Sequence, residues 1–133
     1  LWIIQLFAKS CQLPIEIKSC PTIREENGLA LSSRNVHLTA AAKEQAGALF
    51  STLELFKNEV KYRDILNEVD FIALKQKLTH SLLSNSLIKL DYFEVIEEEY
   101  FRFVREIKNN TKYRILIAAY VDQVRLIDNM PIE

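Results

Sequence analysis

The residues best suited to chemistry lie in one short stretch of the chain, residues 21–35. The stretch contains an Asn-Gly pair, two adjacent hydroxyls at Ser32 and Ser33, and then Arg34 and Asn35. Hydroxyl groups donate hydrogen bonds to phosphate oxygens, and an arginine presents two parallel N–H groups to one phosphate. These residue types therefore predict contacts with a phosphate-bearing ligand. Because nothing else in the chain completes such a site, we expect half of an active site here.

The elements on either side of this stretch set its position. Apolar residues recur with helical spacing over residues 1–11, and Ile15–Ile17 alternates as a strand does. Pro21 and the Asn27-Gly28 pair then mark a loop and the best domain boundary. Thr39 is a suitable N-cap for a long helix. The residues expected on the buried face of this helix are Ala42, Ala46, Leu49, Phe50, Leu53 and Phe56.

A second helix is predicted to open at Asp64 and to end near Ser84-Asn85. Its expected inward residues are Ile65, Val69, Ile72, Leu78, Leu82 and Leu83. The pattern then changes to strands at residues 89–96, 114–121 and 124–129, with a two-residue hairpin at Asp122-Gln123. Phe93 and Val95 are expected to face opposite to Tyr92 and Glu94. Helices followed by antiparallel strands predict an α+β fold, in which two helices pack on a small antiparallel sheet.

Composition narrows the function classes. The formal net charge of −1 gives no electrostatic reason to expect nucleic acid or an anionic membrane as a partner. No apolar run approaches the roughly 20 residues of a membrane span, so a soluble cytoplasmic protein is expected. Cys11 and Cys20 match no metal-binding or redox spacing, and we expect two reduced, buried thiols, although counting leaves a disulfide open.

Three ordered blocks of sequence resemble one enzyme family. They are Pro-Thr-Ile-Arg-Glu-x-x-Gly-Leu-Ala-Leu-Ser-Ser-Arg-Asn at residues 21–35, Leu-Asp-Tyr-Phe-Glu-Val at 90–95 and Val-Arg-Leu-Ile-Asp-Asn at 124–129. Together they look like the C-terminal part of the pantothenate synthetases, or pantoate–β-alanine ligases. The resemblance implies a boundary near residue 24. Residues 1–24 would be the last helix and strand of a Rossmann-like ATP-binding domain, and residues 25–133 a lid domain.

The resemblance implies an ATP-dependent ligase. Members of the family form a pantoyl adenylate from pantoate and ATP, releasing pyrophosphate, and β-alanine then displaces AMP to give pantothenate. Mg²⁺ accompanies the ATP, and the complete enzyme is expected to be a homodimer. The family's His-x-Gly-His and Gly-x-Lys-Asp segments have no counterpart in residues 1–133. The chain opens at Leu1 without an initiator Met, so we expect a fragment that is catalytically inactive by itself.

The resemblance also assigns roles within residues 21–35. Ser32, Ser33 and Arg34 occupy the place of a phosphate-binding loop, where fixed donors stabilise the leaving pyrophosphate. Ile23 matches a position whose backbone contacts the adenine, with Leu31 beside it. Gly28 is expected to supply a positive φ and to contact nothing, and Asn35 is expected to fix the loop. Without the family match, the same loop would be read as a surface feature of a non-enzymatic α+β interaction module.

The remaining polar residues receive structural roles. His37 and His80 are expected to be structural or solvent-facing, and the run Glu97–Glu99 to be a solvated loop. Arg24 and Glu25 are expected to form an interdomain ion pair. The three polar residues of the last block are expected to end and orient the last strand; they are Arg125, Asp128 and Asn129. A related nucleotidyltransferase with another acceptor is a further alternative.

Overall fold

The computed structural model describes residues 1–63 and 65–132, and within them helices come first and an antiparallel sheet follows. The helices are α1 (Trp2–Ser10), a short 3₁₀ helix (Ser33–His37), α2 (Ala40–Lys61) and α3 (Glu68–Leu83). The strands are β1 (Ile65–Leu66), β2 (Ile88–Glu97), β3 (Arg102–Phe103), β4 (Ile107–Lys108), β5 (Tyr113–Val121) and β6 (Val124–Ile132). The predicted α+β class is confirmed.

Helix α2 follows its sequence signals closely. The Thr39 hydroxyl oxygen accepts a hydrogen bond from the Ala42 N–H at 3.2 Å, which confirms the predicted N-cap. Five of the six residues expected on its buried face are buried: Ala42, Ala46, Leu49, Leu53 and Phe56. Phe50 is only half-buried, because it turns toward the loop before the helix.

Helix α3 begins later than predicted. Its N-cap is Asn67, whose side-chain oxygen accepts from the Asp70 N–H at 3.0 Å, and Asp64 lies outside the described residues. Ile65 is not helical but pairs with Lys108 in a small two-stranded sheet of β1 and β4. The first half of the predicted face is therefore wrong and the second half largely right. The buried residues are Phe71, Leu74, Leu78 and Leu82, so Leu78 and Leu82 are confirmed, whereas Val69, Ile72 and Leu83 are exposed.

The main sheet has four antiparallel strands in the order β3-β2-β5-β6. The predicted hairpin is confirmed, since Val121 pairs with Val124 and Asp122 adopts the positive φ of 57° that such a turn requires. Strand β6 continues to Ile132 instead of ending at Asn129. Its last polar residues therefore lie inside the strand, and the prediction that they terminate it is wrong.

The core lies between one face of the sheet and helices α2 and α3. Phe56 of α2 packs edge-on against Phe71 of α3 and Phe93 of β2, with ring centroids 5.8 and 5.4 Å apart. Phe93 and Val95 are buried while Tyr92 is exposed, which confirms the predicted alternation along β2. Because these aromatic contacts join both helices to the sheet, α2, α3 and the sheet form one packed body.

Residues 1–20 contact this body only sparingly. Helix α1 forms as predicted, and its Trp2 ring stacks on Phe101 with centroids 4.8 Å apart. Ile15–Ile17 is not a strand, because within the described residues no neighbouring strand bonds to it. Cys11 and Cys20 are free thiols, but they are exposed rather than buried as predicted, since they lie at and beyond the end of the helix.

The acidic run also differs from the prediction. Glu97 ends β2 in a buried position and pairs with Arg102 at 2.5 Å, while Glu98 pairs with Arg114 at 2.7 Å. Only Glu99 behaves as part of a solvated loop. The cross-strand arginines explain the difference, because each neutralises a carboxylate that the sequence alone leaves unpaired.

Two negative findings hold for residues 1–63 and 65–132. No helix there has the length and apolar character needed to cross a membrane. No group of three or more His, Cys, Asp or Glu side chains is placed to hold a metal ion.

Candidate functional site

The segment from Ile23 to Leu31 folds into a tight turn that delivers the serines to the surface. Arg24 and Ala30 form an antiparallel bridge, and the Leu31 N–H donates to the Ile23 carbonyl at 2.9 Å. Gly28 closes the turn with a φ of 87°, a value that favours glycine. The predicted positive φ is therefore confirmed.

Gly28 also has a second role that the sequence did not reveal. A Cβ atom built on it would overlap the Phe50 ring, so the prediction that Gly28 contacts nothing is wrong. The neighbouring Asn27 donates its side-chain amide to the Lys43 carbonyl at 2.9 Å. The turn thus lies directly against α2, and the absence of a side chain at Gly28 permits this approach.

Arg24 ties the turn to the last strand. Its guanidinium donates to both carboxylate oxygens of Asp128, at 2.5 and 3.0 Å, and to the Gly28 carbonyl at 3.0 Å. The same guanidinium lies 4.0 Å from the centroid of the Phe50 ring. Asp128 is 8% exposed. A bidentate pair this well buried holds the turn in one position.

Glu25 ties the turn to α2 and to the 3₁₀ helix. Its carboxylate lies 2.5 Å from the Lys43 ammonium and accepts from the Asn35 side-chain amide at 3.1 Å. The bonds from Lys43 and then from Asn35 lower the pKa of Glu25 below its ordinary value. The sequence predicts a boundary between residues 24 and 25. With that boundary, the Arg24–Asp128 pair joins residues 1–24 to residues 25–133, whereas the Glu25–Lys43 pair lies within residues 25–133.

Asn35 fixes the loop, as predicted. It is 6% exposed, and its amide nitrogen donates to Glu25 and to the Ala30 carbonyl, both at 3.1 Å. These two acceptors settle which atom of the amide is the nitrogen. The amide oxygen, Oδ1, is buried and has no hydrogen-bond partner among the described residues.

The serines and Arg34 sit where the 3₁₀ helix begins. The Ser32 hydroxyl oxygen accepts from the Arg34 N–H at 3.2 Å and caps the helix. Ser33 and Arg34 are exposed, and the Arg34 guanidinium forms no ion pair within the described part of the chain. The Ser33 hydroxyl and the Arg34 guanidinium therefore face solvent, while the backbone that carries them is held in place.

A groove of ≈ 500 Å³ lies between this loop and β6. Its lining residues are Leu29, Ala30, Leu31, Ser32, Arg34, Asn35, Arg125, Leu126 and Ile127. Leu31 and Ile127 are largely exposed and form apolar walls. Ile23, the other predicted adenine contact, is 72% exposed and does not line the groove, although it is bonded to Leu31.

Arg125 enters the groove from β6 and is held by a carboxylate two strands away. Its Nε and Nη2 atoms donate to one oxygen of Asp91 at 3.0 and 2.8 Å. This bond raises the pKa of Arg125, so its guanidinium stays protonated. Asp91 is the extra residue of a β-bulge in β2, between the pairs Leu90–Ala119 and Tyr92–Ala118.

The two histidines take no part in the groove. His37 and His80 are both exposed, which agrees with the structural or solvent-facing role expected for them. The sequence did not predict the partners that position the site, namely Lys43, Asp91 and Asp128. Asp91 and Asp128 lie inside the second and third sequence blocks, and this membership was the one available signal.

The comparisons with known proteins agree with the geometry. A sequence model of the family described as Pantoate-beta-alanine ligase matches residues 1–131. The chain is 32% identical over 133 residues to a pantothenate synthetase of Caldicellulosiruptor bescii, covering 100% of this chain and 45% of that protein. The chain therefore spans under half the length of this relative.

Solved structures repeat the fold. A pantothenate synthetase from Thermus thermophilus superposes with a TM-score of 0.81 over 97% of this chain and 44% of that chain, at 24% identity. A pantoate-beta-alanine ligase from Francisella tularensis, complexed with beta-gamma ATP and beta-alanine, superposes with a TM-score of 0.61 at 31% identity. That match covers 96% of this chain and 38% of the other. The family model, the relative and the shared fold agree, and the chain belongs to the pantoate–β-alanine ligase family.

Proposed function

We propose that this chain supplies the phosphate-contacting part of an ATP-dependent pantoate–β-alanine ligase. The observation that carries the proposal is the placement of Ser32, Ser33 and Arg34. Ser32 and Arg34 line the groove and Ser33, between them, is exposed, while Arg24, Glu25 and Asn35 fix the adjoining backbone. Membership of the family supports this choice of reaction. The groove supports the assignment of these residues to the contacts with phosphate.

The proposed reaction has two steps. A carboxylate oxygen of pantoate attacks the α-phosphorus of ATP, the bond to the β-phosphate breaks, and pyrophosphate leaves. The amine of β-alanine then attacks the acyl carbon of the pantoyl adenylate, AMP departs with the bonding electrons, and the amine loses a proton. The Francisella relative, complexed with beta-gamma ATP and beta-alanine, supports this choice of substrates.

We assign the leaving pyrophosphate to Ser32, Ser33 and Arg34. As the bond to the β-phosphate breaks, negative charge grows on the leaving group, and donors fixed beforehand stabilise it without reorganising. The guanidinium of Arg34 donates two parallel bonds, and the Ser33 hydroxyl and the loop backbone add others. The backbone of Ile23 contacts the adenine, with Leu31 beside it.

Mg²⁺ is assigned to the substrate rather than to this part of the protein. The groove is lined by hydroxyl, amide, guanidinium and apolar groups, with no carboxylate among them. Mg²⁺ prefers oxygen ligands and commonly binds through substrate phosphates. The ion therefore arrives with ATP and is held by the phosphate oxygens.

The domain division is also proposed. Residues 1–24 belong to the ATP-binding domain, and residues 25–133 form a lid that closes over the nucleotide and excludes water. The exposed apolar side chains of α1, including Ile3 and Phe7, support this division because residues 25–63 and 65–132 leave them uncovered. The complete enzyme is a homodimer.

The test uses the chain joined to the N-terminal half that its relatives carry. We expect release of AMP that requires both pantoate and β-alanine. Arg34→Ala should lower kcat by about a hundredfold or more, the cost typical of losing one preorganised donor. Arg105→Ala, at an exposed arginine outside the groove, is the matched control and should stay near wild type. Wild-type activity in Arg34→Ala would refute the assignment.

The isolated polypeptide gives a second test. Residues 1–133 hold one side of the site, and orienting both reactants contributes up to roughly 7–11 kcal/mol of the barrier reduction. We expect no detectable pantothenate from the isolated chain. Measurable turnover by a preparation free of other ligases would contradict the division of the site.

A further inference from the structure

The groove beside the Ser-Ser-Arg loop has a second cation that the proposed function does not use. Arg125 and Arg34 both line it, one from β6 and the other from the 3₁₀ helix. Asp91 is the one carboxylate bonded to either guanidinium within the described residues. The groove therefore carries a net positive charge, which favours an anion bound between the two arginines.

The bonding of Arg125 leaves part of it free. Both bonds to Asp91 end on the same carboxylate oxygen and use Nε and Nη2 of the guanidinium. The third nitrogen, Nη1, has no hydrogen-bond partner among residues 1–63 and 65–132. A guanidinium that is bonded through Nε and Nη2 is fixed in orientation. Its Nη1 remains available to donate to a ligand.

The bulge in β2 explains how Asp91 reaches Arg125. An extra residue interrupts the alternation of side chains, so that Asp91 and its neighbour Tyr92 are both exposed. Bulges commonly re-aim a side chain, often next to an active site. Here the extra residue places a carboxylate on the sheet face from which Arg125 projects.

One residue that lines the groove has a buried acceptor without a donor in the described part of the chain. This residue, Asn35, is more than nine-tenths buried and has an amide oxygen without a partner among the described residues. A buried acceptor without a donor is costly, and a ligand hydroxyl or an ordered water would satisfy it.

We propose that Arg125 is a second phosphate-contacting residue of this site and that Asp91 positions it. The inference rests on the proposed function, because it takes ATP as the ligand of the groove. Arg34 and Arg125 approach the leaving phosphates from opposite walls, and both stabilise the charge that develops on pyrophosphate. Asp91 touches no substrate and acts by fixing the direction of the Arg125 guanidinium.

The experiment uses the chain joined to its N-terminal half, with Arg125→Gln and Arg125→Lys. Arg114→Gln is the matched control, since Arg114 of β5 also pairs with a carboxylate, that of Glu98, but lies outside the groove. We expect Arg125→Gln to lower kcat/KM for ATP by about tenfold and to weaken pyrophosphate inhibition, the loss expected for one charge-assisted hydrogen bond at a partly exposed site. KM for β-alanine should not change, Arg125→Lys should recover part of the loss, and Arg114→Gln should match wild type.

The outcomes separate this inference from the function on which it rests. If the wild-type enzyme forms no pantothenate, the proposed function itself fails. If wild type is active and Arg125→Gln keeps its kcat/KM for ATP, or if Arg114→Gln loses as much, the role of Arg125 is overturned. Asp91→Asn adds a readout for positioning. It should lower kcat/KM for ATP less than Arg125→Gln does and should have no further effect in an Arg125→Gln background, whereas independent losses would overturn the role of Asp91.

Discussion

At the scale of single residues, the position of the loop depends on two carboxylates that do not line the groove, Asp128 and Glu25. Asp128 holds the turn from the sheet, and Glu25, within the turn, bonds to Lys43 of α2 and Asn35 of the 3₁₀ helix. Arg24 and Asp128 lie 104 residues apart in the sequence. Each pair fixes part of the backbone that supports Ser32–Arg34, as the proposed role of these residues as preorganised donors requires.

Asp128→Asn should destabilise the fold. The substitution keeps the size of the side chain but leaves the Arg24 guanidinium half-buried without its charge partner, so the free energy of unfolding should fall by about 2–3 kcal/mol. Urea denaturation of the 133-residue chain measures this. Asp122→Asn is the control, since Asp122 is exposed at a positive φ that asparagine also tolerates. Equal stability of Asp128→Asn and wild type would mean that the pair contributes nothing.

Glu25→Gln should change how stability depends on pH. Lys43 and Asn35 lower the pKa of Glu25 below 4.5, so its contribution is present above that pH and is lost as the pH falls through the lower folded-state value. Wild type should therefore exceed Glu25→Gln in stability at pH 7, and the difference should shrink on acidification. Urea midpoints from pH 7 down to about pH 3 test this. Exposed Glu26→Gln is the control, and a pH-independent difference for Glu25→Gln would contradict the linkage.

At the scale of elements, the sequence predicted those features that depend on neighbouring residues alone, such as a helix cap and a hairpin turn. Thr39 caps α2 as expected, and the Asp122-Gln123 hairpin forms because Asp122 accepts a positive φ. Helix α3 was predicted to start too early, because Asp64 and Asn67 are both good N-caps and the sequence does not say which one is used. The predicted strand at Ile15–Ile17 does not form, because a strand needs a neighbouring strand to bond to and an alternating sequence does not supply one.

The candidate site was predictable only in its exposed half. The residue types of Ser32, Ser33 and Arg34 predict phosphate contacts, whereas the residues that support them come from distant elements. Asp91 reaches Arg125 across β5 through a bulge that no local pattern indicates. Such partners are fixed by strand register and tertiary packing, which a single sequence does not determine.

Gly28→Ala should disturb the turn as an element. The new methyl group must accept a φ of 87° and must displace the Phe50 ring, so we expect a loss of about 2 kcal/mol or more in the free energy of unfolding. Phe50→Ala in the same chain removes the overlap. The double variant should therefore be more stable than the sum of the two single losses predicts, as measured by urea denaturation. Strictly additive losses would mean that Phe50 does not restrict the turn.

At the scale of the whole molecule, the aromatic centre of the core and the groove are built from different parts of the chain. The three-way contact of Phe56, Phe71 and Phe93 joins both long helices to the sheet. The groove is lined instead by the loop, the 3₁₀ helix and β6. Helix α1 contributes to neither, since its apolar residues Ile3, Ile4, Leu6 and Phe7 are exposed.

Removing residues 1–20 should therefore cost little stability. The aromatic contact it eliminates is the stack of Trp2 on Phe101, worth about 0.5–1.5 kcal/mol beyond its buried area. Phe56→Ala, which empties the centre of the core, should cost about 3–5 kcal/mol. Urea denaturation of residues 21–133, of Trp2→Ala and of Phe56→Ala in the 133-residue chain compares the three losses. If the truncated chain loses as much as Phe56→Ala does, α1 is part of the folding unit, and the division of the chain near residue 24 is wrong. If it loses no more than Trp2→Ala does, the exposed face of α1 is surface that the helices and sheet of this chain do not need for their own stability.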